Sequence, residues 1–262
     1  MNQQFFPPQS SQFPSSQGRV DLPILYYDTT AAYAFFDAAT DACRTILTGT
    51  GLKPLELPGG RSLVGIAVYE YRATTVGVYN EVGLALVCLP ESQRMPLLSL
   101  VDLFLPGRMR KLGFYVADLP VTTAAANAAG REIWGYPKFV TQIPIAFEDD
   151  SMKMQVKNPD FPQDNIVTLE GSFSETVSLP NFDLVTWSNL KSDLIRTHVT
   201  VRGSAYYSLR PGMKLTVGEK EHHMQRNLKL LGLDGRQPLA MAISRNFQSI
   251  LPQGEIFSKS SA

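Results

Sequence analysis

At 262 residues, with 44% hydrophobic and 18% charged side chains, the chain can bury a substantial core. Its 24 basic and 24 acidic residues cancel and form no stripe or run of one sign, which argues against nucleic acid and anionic membrane as partners. No uninterrupted apolar run reaches the roughly 18 residues a membrane span needs, and Cys43 and Cys88, far apart and outside any CxxC pattern, fit buried thiols in a reduced, cytoplasmic protein.

Residues 1–20, rich in Gln, Ser, Pro and Phe, lack the cationic start and apolar core of a signal peptide. They read as a disordered tail, or as an arm docking Phe5, Phe6 and Phe13 on a neighbouring subunit. Residues 21–262 contain no visible linker and are expected to form a single domain. Leu22–Tyr27 is a short apolar run. Asp28-Thr29-Thr30 offers an N-cap to a helix predicted over Ala31–Leu47, where Phe35, Phe36, Ala39, Cys43, Ile46 and Leu47 recur near helical spacing before Gly49 and Gly51. After a Pro- and Gly-containing loop, strands are predicted over Arg61–Arg72 and Gly77–Leu89.

On the second of these strands the side chains must alternate between faces. Val82, Leu84 and Leu86 make a packing face; Tyr79, Glu81, Gly83, Ala85 and Val87 make the other, where the small residues leave room for something other than side chain. A glutamate in such apolar company needs a partner, a proton, or an edge position open to water.

Residues 91–109 read as a loop with a short strand or helix, Lys111–Ala117 as a strand, and Asp118–Pro120 as a turn. Thr122 or Thr123 can cap a small-residue helix over Ala124–Ala129 that packs closely on a sheet. That helix delivers Gly130-Arg131-Glu132-Ile133-Trp134-Gly135-Tyr136-Pro137-Lys138-Phe139, a helix-to-strand junction with Lys138 behind a rigid Tyr-Pro pair. Strands follow over Phe139–Phe147 and Met152–Val156, joined by a turn at Glu148–Ser151, and then over Asn165–Phe173 and Thr197–Leu209. A helix over Glu219–Leu231 carries His222 and His223 about 100° apart around its axis. They lack the i, i+4 spacing of a metal pair and read as surface or subunit-contact residues. The whole is a mainly β, α+β chain, with a mostly antiparallel barrel and helices packed outside.

No GxGxxG, Walker, GxSxG or CxxC cluster is present, so no cofactor or metal is implied. What remains is Lys138. Burial in the cavity that Glu81 lines would favour the neutral amine. Such an amine attacks a carbonyl to form an iminium, which draws electrons from the neighbouring carbon, while a nearby carboxylate manages the protons. The competing assignment is a lysine at a strand edge with its ammonium in water.

The run Gly130-Arg131-Glu132 followed by Tyr136-Pro137-Lys138 resembles the lysine motif of the acetoacetate decarboxylase superfamily. Tyr79-Asn80-Glu81 is similar to that family's glutamate-bearing strand and Lys53-Pro54-Leu55-Glu56-Leu57 to its early proline loop, so the resemblance runs from about Leu22 to the C-terminus. It implies a cone-like β-barrel with flanking helices, a homo-oligomer, and a Schiff base on Lys138 with Glu81 as the acidic group. Decarboxylation of a small oxo acid, or related C–C lyase or aldolase-dehydratase chemistry, would follow, with Arg131, Tyr136, Tyr79 and Phe139 as substrate-binding residues. Three departures stand out. Phe139 replaces a second consecutive lysine, Tyr26-Tyr27-Asp28 replaces a segment bearing the carboxylate-holding arginine, and the position of the family's second, upstream glutamate falls near Ile66. Arg19, Arg61, Arg72, Arg108 and Arg110 are the alternatives for that anchor. A reading of a different class is a non-catalytic barrel that binds a small apolar carbonyl ligand.

Overall fold

The computed structural model describes residues 5–174 and 177–258; residues 1–4 of the expected tail, and 175–176 and 259–262 of the expected domain, lie outside the described residues. In chain order the elements are strands β1 (Ser11–Ser15), β2 (Gly18–Leu22) and β3 (Ile24–Ala39), helix α1 (Thr40–Leu47), and strands β4 (Leu52–Pro54), β5 (Arg61–Thr74) and β6 (Tyr79–Pro90). Helix α2 (Ser99–Asp102), strand β7 (Gly113–Val121), helix α3 (Ala124–Ala129), a π-turn (Gly130–Trp134) and strands β8 (Lys138–Val140), β9 (Ile145–Phe147), β10 (Ser151–Lys157) and β11 (Asn165–Ser172) come next. The chain continues through β12 (Val177–Pro180), β13 (Leu184–Leu190), β14 (Asp193–Arg202), β15 (Ser204–Leu209), β16 (Gly212–Val217), helix α4 (His223–Leu230), β17 (Ala240–Leu251) and β18 (Glu255–Ser258).

Strands β17, β3, β5, β6, β7, β13 and β14 pair in that order, and Thr200–Arg202 of β14 pairs back onto β17 to close a barrel. Neighbours run antiparallel except at β7–β13, so the mostly antiparallel barrel expected from the sequence is present. A second, four-stranded sheet, β16-β11-β10-β9, covers one outer wall. Between the two sheets lies an aliphatic core. Ala34, Phe36, Ile66, Val68, Leu84 and Leu86 point outward from the barrel and meet Met154, Leu169 and Leu215 of the second sheet and Met224 and Leu228 of α4. The alternate residues of the same strands point inward.

Several sequence-based expectations are corrected. Ala31–Ala39 is the end of a long strand, and only Thr40–Leu47 is helical. Both faces of β3 are buried, so its apolar residues do not alternate with polar ones, and tertiary pairing with β5 and β17 overrides the helix propensity of its alanines. Asp118–Pro120 does not turn the chain; it stays in β7, pairing with β6 at Leu84 and with β8 at Lys138 and Phe139. Thr197–Leu209 is two strands broken at Gly203, which sits at a φ of +115° that favours glycine. Residues 11–20, expected in a tail, form most of the β1–β2 hairpin. The hairpin is held to its own chain: the Ser16 N–H donates to Glu132 Oε2 at 3.0 Å and the Ser16 hydroxyl to Glu132 Oε1 at 2.5 Å. Phe6 packs edge-on against Tyr27, at 4.7 Å between centroids. No described helix is long and apolar enough to cross a membrane.

Candidate active site

The inward faces of the barrel strands enclose a cavity of about 130 Å³. Glu81 and Lys138 reach it from either side of β7, since Glu81 on β6 pairs with Val121 and Lys138 on β8 pairs with Leu119. Both are buried, at 6% exposure each, and the Lys138 ammonium donates to Glu81 Oε2 at 2.6 Å. The expected partnership is present, and the alternatives of a strand-edge lysine and a solvent-reaching glutamate are not what this geometry contains. Tyr71 donates its hydroxyl to Glu81 Oε1 at 3.3 Å, and the ring of Tyr79 lies 5.7 Å from Lys138 Nζ.

The junction that presents Lys138 depends on two glycines. Thr123 caps α3 by accepting from the Ala126 N–H, and the chain then widens into the π-turn rather than stopping. Gly135 ends the turn at φ +71°, where a Cβ would also lie 2.2 Å from the carbonyl oxygen of Asn189. Gly130 has an ordinary helical φ, and its need for glycine is spatial. A Cβ there would sit 2.4 Å from both Cδ and Cε of Lys138. The lysine stem therefore runs across the bare face of Gly130 to reach the cavity.

Of the other candidate residues, Tyr79 and Tyr136 line the cavity. The Tyr136 hydroxyl is hydrogen-bonded to Thr186 Oγ1 at 2.7 Å, and burial pushes its phenol pKa up to about 12. Arg131 and Phe139 do not reach the cavity, which corrects their expected role in binding. Arg131 is exposed and donates to the Lys138 carbonyl oxygen at 2.8 Å, fixing the backbone that carries the lysine. Phe139 points to the opposite face of β8, as period 2 requires, and packs 4.6 Å from the His222 ring and 5.1 Å from the His223 ring. His222 caps α4 through its Nδ1, and His223 Nε2 lies 2.9 Å from Asp118 Oδ1, so both imidazoles serve the outer wall.

None of the five arginines weighed as a carboxylate anchor lines the cavity. Arg61 pairs with Asp37, Arg72 with Asp28 and Glu70, and Arg19 reaches Gln12, while Arg108 is exposed. Arg110 is buried, but its guanidinium donates to the carbonyl oxygens of Leu105 and Asp183.

The lining the sequence did not disclose is aromatic. Tyr26, Tyr33, Tyr69 and Tyr71 join Tyr79 and Tyr136 around it. The i, i+2 spacing of Tyr69 and Tyr71 on a predicted strand was a usable signal; Tyr33 was hidden by its assignment to a helix. Burial, and after it the Glu81 charge, raises the pKa of Tyr71, and burial with neighbouring phenols and Glu81 does the same for Tyr79. Burial and Glu81 likewise raise that of Tyr26, so these phenols are neutral donors.

The sequence profile of the acetoacetate decarboxylase (ADC) family matches residues 6–209. Among curated proteins no significant match is found. Among solved structures, an acetoacetate decarboxylase superposes with a TM-score of 0.64 at 17% identity over 92% of this chain and 91% of that one. The acetoacetate decarboxylase of Legionella pneumophila gives 0.65 at 15% identity over 98% and 94%. The enduracididine biosynthesis enzyme MppR complexed with pyruvate gives 0.63 at 13% identity over 91% of each chain. At such identities these likenesses concern the fold.

Proposed function

Given that the chain belongs to the acetoacetate decarboxylase family, we propose that it is a Schiff-base enzyme in which Lys138 condenses with a small carbonyl substrate and Glu81 moves the protons. The observation that carries this reading is the buried 2.6 Å contact between Lys138 Nζ and Glu81 Oε2 at the wall of a cavity. Glu81 takes one ammonium proton, and the freed amine adds to the carbonyl carbon to give a carbinolamine. Return of that proton to the hydroxyl releases water and leaves a cationic iminium opposite the Glu81 carboxylate. Ammonium, carboxylate and carbonyl thus become iminium, carboxylate and water, with charge conserved. The iminium then accepts the electron pair of a C–C or C–H bond on the adjacent carbon, which is the step of a decarboxylase, a C–C lyase or an aldolase-dehydratase. The pyruvate complex of the similarly folded MppR supports a carbonyl ligand in this kind of barrel.

Cyanoborohydride reduction in the presence of small ketones, aldehydes and oxo acids tests the proposal, with the adduct located by peptide mass spectrometry. The expected result is a stable secondary amine at Lys138. Modification spread over exposed lysines with none at Lys138 would remove the claim. The aromatic lining also favours a second reading, a barrel that binds an apolar carbonyl compound without turnover. Deuterium exchange at the carbon next to the captured carbonyl separates them, because only an enzyme raises it well above the rate given by a free amine such as Nα-acetyllysine.

A further inference from the structure

Resting on that Schiff-base reading, we infer that the substrate is an uncharged ketone or aldehyde bearing one planar, ring-sized apolar group, rather than a small oxo acid. The first argument is charge. Besides phenols, Lys138 and Glu81 are the only ionisable residues lining the cavity among the described residues, and they cancel. A neutral carbonyl keeps that balance throughout, since the iminium cation replaces the ammonium cation beside Glu81. An oxo acid would bring a second carboxylate into a buried space that holds one already. Among the described residues no guanidinium or imidazole lines the space to receive it, and an unpaired buried anion is strongly disfavoured.

The second argument is shape. From the lysine outward, successive ring neighbours form one aromatic wall: Tyr79 to Tyr71 at 4.6 Å and tilted by 44°, Tyr71 to Tyr69 at 5.2 Å with planes 7° apart, and Tyr69 to Tyr33 at 5.8 Å edge-on at 82°. Rings set at such varied angles receive an aromatic partner in offset or edge-to-face contact. The volume of about 130 Å³ is close to that of the roughly 150 Å³ apolar cavity known to hold one benzene molecule. At the far end of the wall the Tyr33 hydroxyl is buried beside the Tyr69 phenol and has no hydrogen bond of good geometry among the described residues. A buried hydroxyl in that state is what a polar substituent on the ligand would satisfy.

Four probes that vary charge and ring independently test the inference: acetone, pyruvate, phenylacetone and phenylpyruvate. Each is reduced onto the full chain with cyanoborohydride, and the rate of adduct formation at Lys138 is divided by the rate on free Nα-acetyllysine. Phenylacetone is expected to lead, at least tenfold above both phenylpyruvate and acetone. Either acid matching or exceeding its ketone overturns the uncharged class, and that is also the result a guanidinium supplied by a second copy of the chain would give. Acetone matching phenylacetone overturns the ring. Absence of every Lys138 adduct, with Nα-acetyllysine modified normally, instead fails the Schiff-base reading and this inference with it.

Discussion

Strands β3, β5 and β6 each carry two unlike surfaces. Outward, Ala34, Ile66 and Leu84 sit abreast in register and pack into an aliphatic and methionine-rich core. Inward, one residue away along each strand, the same ribbons present tyrosines, a glutamate and the small residues Gly83 and Ala85 to a cavity. The outer face buries hydrocarbon at close packing, which is where stability comes from. The inner face leaves space unfilled and buries polar groups, which is unfavourable for stability and necessary for a ligand. Period 2 lets one backbone serve both, so within the regularly paired stretches 31–36, 64–71 and 79–86 a substitution at an even-numbered position should act on folding and one at an odd-numbered position on capture; the register shift at residues 26–29 changes the phase, and Tyr26 faces the cavity.

The largest test of that division is Glu81→Gln, which keeps the shape and removes the proton acceptor. Capture at Lys138 should slow by about 10²–10⁴-fold, measured as the cyanoborohydride adduct rate on the folded fraction. The counterpart on the outer face is Leu84→Ala. It should lower the unfolding free energy by about 2–5 kcal/mol in urea melts and leave the adduct rate of the folded protein within about twofold. Alkali should attack the inner face from a different side. Tyr136 is held neutral, with a pKa raised to about 12, so the stability it contributes is complete below the ordinary tyrosine value near 10 and is lost as pH rises through 12. That is about 3 kcal/mol for this residue. Tyrosinate absorbance beyond that of the exposed Tyr27 and Tyr206 should therefore appear together with loss of near-ultraviolet circular dichroism, not before it.

Gly130→Ala sharpens the comparison further, because it lies in neither face yet touches the lysine. Its Cβ must displace the Lys138 stem, so capture should fall by about 10²-fold while the thermal midpoint changes little. Equal capture by this variant would show that the stem has another route. The smallest effect is expected for Tyr33→Phe. Deleting a buried hydroxyl whose contact with the Tyr69 phenol falls short of a well-formed hydrogen bond should change stability by less than about 1 kcal/mol.

The inner face of β6 was legible because Glu81, Gly83 and Ala85 break an apolar run at alternate positions. Lys138 was legible because a Tyr-Pro pair and a small-residue helix frame it. Their 57-residue separation did not hide the pair, since each was odd in its own surroundings. β3 was not legible. A strand buried on both faces shows no polar alternation, and its Ala and Phe residues also satisfy a helical period, so Tyr33 and the aromatic wall it begins were lost with it. The continuation of β7 through Asp118–Pro120 was missed for another reason. Asp and Pro favour turns locally, yet here β6 and β8 hold them straight, with Asp118 answered by Asn227 and His223 of α4. The hairpin at residues 11–22 depends on a contact with Glu132 over a hundred residues away, which local composition does not encode.

The position of Glu81 and Lys138 on opposite flanks of β7 also bears on how the chain finds its fold. A slip of β8 by one residue would turn Lys138 out toward His222 and His223 and bring Phe139 in, because every side chain on a slipped strand changes face. Glu81 would then be buried as a lone anion among phenols, and Lys138 would be left without it. The correct alignment is the one that neutralises both. The charge pair would thus favour the native alignment during strand assembly, because a barrel closed in the wrong register is penalised at the same two atoms on which the proposed reaction depends.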